Sequence, residues 1–337
     1  MNRRLGLKPL ITLCATLVLL GLPANGLAHP GWGIAVDSEG SVYFTDIDRL
    51  TIWKRLPDGT LQAAVTGVWT HQLFVDAQDN LYYEREEYRS NVGPYNSVWR
   101  RSPSGEQTLL IPPTLDQTVF GGENVVLDAS GAIYFPTGRA ITKRSPDGTQ
   151  HLLAGSDTAG HEDGQGASAR FTSINAMTMG PDATIYVTDG DAVRKITLDG
   201  VVTTLARGLL TIPPDDPFFD DGGFNDMYGL TVDAHGTVFV AYHGNRRLLQ
   251  VTPDGSVSER YRAAAPWSPM GVAAAGDDLY ILETGWLAGI GHFGPRLRKR
   301  SPDGTFTTVL TLGNVETGKD DQSSEGAARR APTASGC

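Results

Sequence analysis

The chain has 337 residues with 40 Gly and 20 Pro, enough for one large all-β domain or two smaller ones rich in turns; coiled coils and long helices are excluded by the same composition. Its 28 Lys and Arg stand against 38 Asp and Glu, a net charge of -10. That balance argues against nucleic acid and anionic membranes as partners.

Residues 1–28 predict a signal peptide. Arg3, Arg4 and Lys8 form a basic start, and Leu10–Leu22 is an apolar run too short to span a bilayer comfortably. Gly26-Leu27-Ala28 supplies the small residues of a cleavage site. An exported chain beginning near His29 is expected, in the periplasm or outside the cell; a retained N-terminal anchor is the alternative. Loss of the three leader cations takes the balance to -13. Such a mature chain has no membrane span and keeps only Cys337, so no intrachain disulfide and no thiolate metal cluster is expected.

From Gly31 onward one phrase recurs. It runs apolar stretch, Asp, turn, aromatic-rich strand, then Arg/Lys-x-x-Pro-Asp-Gly. The six copies read GIAVDSEGSVYFTD, QLFVDAQDNLYYE, NVVLDASGAIYFP, AMTMGPDATIYVTD, GLTVDAHGTVFVA and GVAAAGDDLYILE. Their closing glycines are Gly59, Gly105, Gly148, Gly200, Gly255 and Gly304. This spacing is a four-strand period. In each unit strand A is apolar (Ile34–Val36, Leu73–Val75). Strand B alternates with aromatics (Val42-Tyr43-Phe44, Ile133-Tyr134-Phe135), strand C ends in the Gly turn, and strand D is short and β-branched. The expectation is an all-β, six-bladed β-propeller of four-stranded antiparallel blades over residues 29–314. Whole repeats fit without remainder, so the ring should close without a swapped strand, and a monomer is expected. Residues 315–337 are polar and small, and read as a disordered tail.

The stretch from His161 to Leu205 is the most detailed copy. Asp163-Gly164-Gln165-Gly166, Ala169-Arg170-Phe171, Arg194-Lys195-Ile196-Thr197, Asp199-Gly200 and Val202-Thr203-Thr204-Leu205 resemble an NHL-type repeat. The likeness is looser in the other five units. It implies a six-bladed propeller and no particular reaction, because such propellers bind, scaffold or catalyse.

In this strand order the D-to-A and B-to-C connections share one face. The long insertions fall there: Arg85–Ser97, residues 155–173, residues 207–227 and Thr284–Pro295. Loops longer than closure needs carry function, so the working surface is expected on this face around the channel. The residue five before each strand-A Asp position should line the mouth, giving Trp32, His71, Glu123, Asn175, Tyr228 and Met270. His71, Glu123 and Asn175 come from consecutive blades. Their imidazole, carboxylate and amide suit a divalent cation (Ca, Mg, Mn or Zn), or they hydrogen-bond one another and water in a polar channel. The ends of strand B add a rim containing Arg85, Arg139, His243 and Glu283, with Asp46 and Asp189 as caps of the B-to-C turn. Arg85 and Arg139 could pair locally or catch a ligand carboxylate. His243 is a possible base. Trp286, His292 and Phe293 form either an apolar lid or packing for their own blade. The acidic run Pro214–Asp221 lacks calcium-loop spacing and reads as a solvated loop.

The NVVLDASGAIYF phrase also resembles the gluconolactonase and senescence-marker-type propellers. That likeness implies a channel cation held by Glu, Asn and Asp side chains, and lactone hydrolysis. This chain has Trp32 where that family's first-blade Glu falls, Glu123 where an Asn falls, and Asn175 at a later Asn position. Phosphate-binding loops, G-x-S-x-G and His-Glu-x-x-His are absent from the sequence. Two readings stand. One is a binding propeller for a small ligand, glycan or protein; the other is a divalent-metal-dependent hydrolase of lactones or related esters.

Overall fold

Each repeat folds as an antiparallel meander because its strands alternate and the residues between them are turn-formers. The computed structural model describes residues 31–89, 93–115, 124–210, 227–287 and 291–313. The leader, Glu123, the acidic run at 214–221 and the tail at 315–337 lie outside the described residues.

Six sheets make six blades. Blade one is β1 (Ile34–Val36), β2 (Val42–Asp46), β3 (Thr51–Arg55) and β4 (Leu61–Thr66). Blade two is β5 (Leu73–Val75), β6 (Leu81–Arg89), β7 (Gly93–Arg101) and β8 (Gln107–Thr114). Blade three is β9 (Val126–Leu127), β10 (Ile133–Thr137), β11 (Ala140–Arg144) and β12 (Gln150–Gly155). Blade four is β13 (Gly164–Gln165), β14 (Ile174–Met179), β15 (Ile185–Asp189), β16 (Ala192–Ile196) and β17 (Val201–Ala206). Blade five is β18 (Met227–Val232), β19 (Val238–Tyr242), β20 (Arg247–Val251) and β21 (Val257–Arg262). Blade six is β22 (Trp267–Ala275), β23 (Asp278–Leu287), β24 (Gly291–Arg300) and β25 (Phe306–Thr311). Blades one and six each hold four consecutive strands, so the ring closes without a swapped strand. Among the described residues no helix is long and apolar enough to cross a membrane.

The core is divided among the gaps between blades, with one apolar cluster in each. Tyr43 and Ile52 meet Leu73 and Tyr83 between blades one and two. Tyr134 and Ile141 meet Met177 and Val187 between blades three and four. Ile34 and Phe44 meet Ala273 and Leu282 where the ends of the ring join. A single blade would leave both faces wet; each buried aromatic contributes about 1.5–3 kcal/mol once its neighbour covers it.

The repeated strand-A Asp has a local cause. Asp37, Asp76, Asp128 and Asp233 each accept the backbone N–H four residues on, which holds the A-to-B turn tight. The phenol of Tyr134 donates to Asp128 (2.7 Å), and that of Tyr82 to Asp76 (2.9 Å). The strand-B tyrosine is thus both core filler and turn clamp.

Three expectations need correction. Arg85–Ser97 and Thr284–Pro295, read as loops, continue the sheet instead. The β6–β7 ladder runs on to Arg89↔Gly93, and the β23–β24 ladder to Leu287↔Gly291. A hairpin that rises off the ring satisfies its own backbone groups, and turn-residue counting does not detect it. The 155–173 segment is not plain loop either. Its Gly164 and Gln165 pair with Val202 and Val201, adding a fifth strand outside blade four.

Candidate functional site

The inner strands deliver the mouth residues to the axis, but with packed rather than open geometry. Trp32 lies between His71 and Tyr228, stacked on both at 4.9 and 5.1 Å between ring centroids. His243 extends the row beside Tyr228 at 6.1 Å. Trp32, Tyr228 and Met270 form a buried cluster, with relative exposures of 4%, 8% and 0%. The row joins blades one, two and five, so it crosses the axis.

The backbone draws the same side of the ring inward. Trp32 N–H and Gly33 N–H both donate to the His71 carbonyl (2.9 and 2.6 Å). A methyl group on Gly271 would collide with the Trp32 carbonyl, and one on Gly229 with the Gly271 backbone. Only glycine permits this approach. Gln72 Nε2 then reaches across to the Met177 carbonyl (2.9 Å). Below the row lies a cavity of ≈ 150 Å³. Its wall is Trp32 and Tyr228 above and the inner strands around; Gln72, Thr178 and Thr231 are its polar side chains, and none of the lining residues is ionisable apart from Tyr228.

Of the three residues read as a cation set, Glu123 lies outside the described residues. His71 is 4% exposed, and its Nε2 accepts the Trp69 indole N–H (3.4 Å). With Nε2 accepting, that imidazole lone pair is directed at the Trp69 indole N–H. The Asn175 side-chain oxygen accepts the Ser173 hydroxyl (2.9 Å), and its backbone carbonyl accepts Asn124 Nδ2 (3.2 Å). Among the described residues no group of three His, Cys, Asp or Glu side chains converges on one point. The donors described at the mouth do not fit a cation.

The rim at the ends of strand B behaves differently. Glu283, on β23, is fully buried and takes two bonds at one oxygen from Arg296 on β24 (Nε 2.6 Å, Nη2 2.5 Å). Burial pushes its carboxyl above the usual range, and Arg296 opposes that only in part. Arg296 in turn lies over Trp267 at 4.2 Å, and Phe293 meets Trp267 edge-on at 5.0 Å. Phe293 packs across Gly285 on its own blade. The side chains of Trp286 and His292 fall outside the description, though their backbones pair in the ladder. His243 is half-buried and its carbonyl accepts the Ser268 hydroxyl.

Both candidate rim cations make local contacts. Arg85 pairs with Glu87 (3.1 Å), and Arg139 donates to the Thr172 carbonyl (3.2 Å). Asp46 accepts from Arg49 (2.8 Å) and the Trp53 indole (3.0 Å). Asp189 accepts from Arg194 (2.7 Å) and from the backbone N–H groups of Thr172 and Ser173 (2.6 and 3.0 Å). Trp69, Gln72, Trp267 and Arg296 were not legible as site residues. Arg296 carries one signal: it lies in strand C directly opposite the strand-B acid Glu283.

A ring of six antiparallel sheets, five of four strands and one with a fifth added outside, with an aromatic and acidic rim, defines a six-bladed propeller. The chain belongs to the SMP-30/Gluconolactonase/LRE-like region family, which it matches over residues 30–284. Similar solved structures include the virginiamycin B lyase from Staphylococcus aureus: 17% identity, 83% of each chain covered, TM-score 0.51. A gluconolactonase from Xanthomonas campestris is 16% identical, covering 75% of this chain and 83% of that one, TM-score 0.51. A structure described as a calcium-binding protein, regucalcin, from Agrobacterium tumefaciens is 16% identical, covering 75% and 81%, TM-score 0.51. At these identities the likeness carries the fold. No curated protein sequence matches the chain. The family is thus the second of the two that the sequence resembles; the NHL-type likeness remains a local feature of blade four.

Proposed function

We propose that the protein is an exported binding propeller that holds a small ligand or glycan, or a protein partner, on its long-hairpin face. The observation that carries this reading is a division of labour at the rim. Polar groups there are engaged by neighbours, as Glu283 Oε2 is by Arg296 and His71 Nε2 by Trp69. The rings of Trp69, Trp267 and Phe293 stay partly exposed around them. Partly exposed indoles bounded by fixed charges grip flat or sugar-like ligands by stacking and orient them by hydrogen bonds.

A thermal-shift screen with mono- and oligosaccharides, γ- and δ-lactones and flat aromatic acids tests the reading. A ligand at a hundred times its Kd should raise Tm by roughly 4–5 °C for a domain of this size. Trp69→Ala and Trp267→Ala should each reduce the shift. A screen with no saturable shift, or shifts that both variants leave intact, would sink the proposal.

The family match favours a second reading, a divalent-metal-dependent hydrolase acting on lactones or related esters. Turnover of a lactone panel that disappears with chelator and returns with metal would support it over the first. The described mouth donors do not fit a cation.

A further inference from the structure

We infer that the mouth of the central channel is a packed aromatic plug, and that the described residues around it offer no cation site at the axial position where this family's propellers hold a divalent cation. The inference rests on what fills the axis. The Trp32 indole is stacked on His71 of blade two and on Tyr228 of blade five. Trp32, Tyr228 and Met270 are buried together there as a core cluster. A hard or borderline cation needs oxygen or nitrogen lone pairs converging at about 2.0–2.6 Å. Ring faces and a thioether do not supply them.

The surrounding donors are turned elsewhere. His71 accepts from Trp69, and the Asn175 amide oxygen accepts from Ser173. The cavity beneath is lined by apolar side chains together with Gln72, Thr178, Thr231 and Tyr228, and no carboxylate or imidazole is among its described lining residues. A divalent ion there would meet no formal negative charge from the described lining residues to offset the loss of its water. The close approach of Gly271 to the Trp32 carbonyl leaves the inner strands little room to spread and admit a hydrated ion. The plug therefore does structural work that a bound ion would otherwise do. It ties blade one to blade two and, across the axis, to blade five.

The test uses the whole exported chain and metal ions alone. Equilibrium dialysis against Ca²⁺, Mg²⁺, Mn²⁺ and Zn²⁺ is combined with terbium titration, since Tb³⁺ bound near Trp32 would emit by energy transfer from the indole. The expected result is no saturable axial binding. Terbium emission that saturates near one equivalent, is displaced by Ca²⁺, disappears in Trp32→Phe and weakens in His71→Gln or Asn175→Ala would overturn the inference. Saturable binding that all three variants leave unchanged places the ion away from the axis and supports it. If Trp32→Phe fails to fold, the His71→Gln and Asn175→Ala arms decide. Failure of the ligand screen would leave this result standing, because none of these variants touches Trp267 or Phe293.

Discussion

At the scale of single residues, Arg194 carries the most. It is fully buried, and its guanidinium spends its donors on Asp189 (2.7 Å), Asp163 (2.9 Å) and the carbonyls of Arg170 and Glu162 (both 3.1 Å). It also sits over the Phe171 ring at 5.2 Å. One planar fork thus holds the insertion before blade four against strand C of that blade. Arg194→Met removes the cation and strands the Asp189 carboxylate in the interior, at an expected cost of about 3–5 kcal/mol in chemical denaturation. Arg194→Lys should recover little, because an ammonium cannot make the fork. Adding Asp189→Asn to Arg194→Met should return part of the loss; a double variant no better than the single one would contradict the account. The Asp163, Ala-Arg-Phe and Arg194 positions were all visible as a motif in the sequence. What they do was not visible, because the motif is a three-dimensional clasp among residues about thirty positions apart.

At the scale of elements, strands were the easiest feature to read. Ile34–Val36 and Leu73–Val75 are found where alternation placed them, because an inner strand needs an apolar run and a turn at each end. The rising hairpins of blades two and six were not readable. Turn residues mark the other strand ends but do not mark where these two ladders stop, so counting them takes the extensions for loops. The mouth was half readable. Counting from the strand-A Asp named Trp32, His71, Tyr228 and Met270, which the fold does bring together. Counting could not tell a convergence of donors from a stack of rings, since that depends on side-chain direction and on how closely β1, β18 and β22 approach. The approach itself is testable. Gly271→Ala pushes β22 off β1 and should cost about 1–3 kcal/mol by overpacking, with a change in Trp32 fluorescence. Full stability with unaltered emission would show that the inner strands have slack.

At the scale of the whole molecule, closure depends on one seam. Blades one and six share no strand, so the Ile34–Leu282 cluster and a side-chain bridge hold the ring shut. The bridge is Arg49. It is anchored by Asp46 in blade one and reaches the Gly294 carbonyl (3.2 Å) and the Gly313 carbonyl on the blade-six side. Arg49→Met should lower global stability by about 1–3 kcal/mol, the range for hydrogen bonds from a charged donor. Hydrogen exchange should accelerate first in β1 and β25, ahead of blades three and four. Uniform acceleration around the ring would mean that the seam is not the place of first opening.

The two ends of the described chain flank that same seam, and this sets how the molecule meets mechanical load. Tension on the ends bears on side-chain packing and one guanidinium, with no backbone ladder running across the join. Rupture should begin there and proceed blade by blade inward, at forces below those of a propeller whose terminal blade is knitted from both ends.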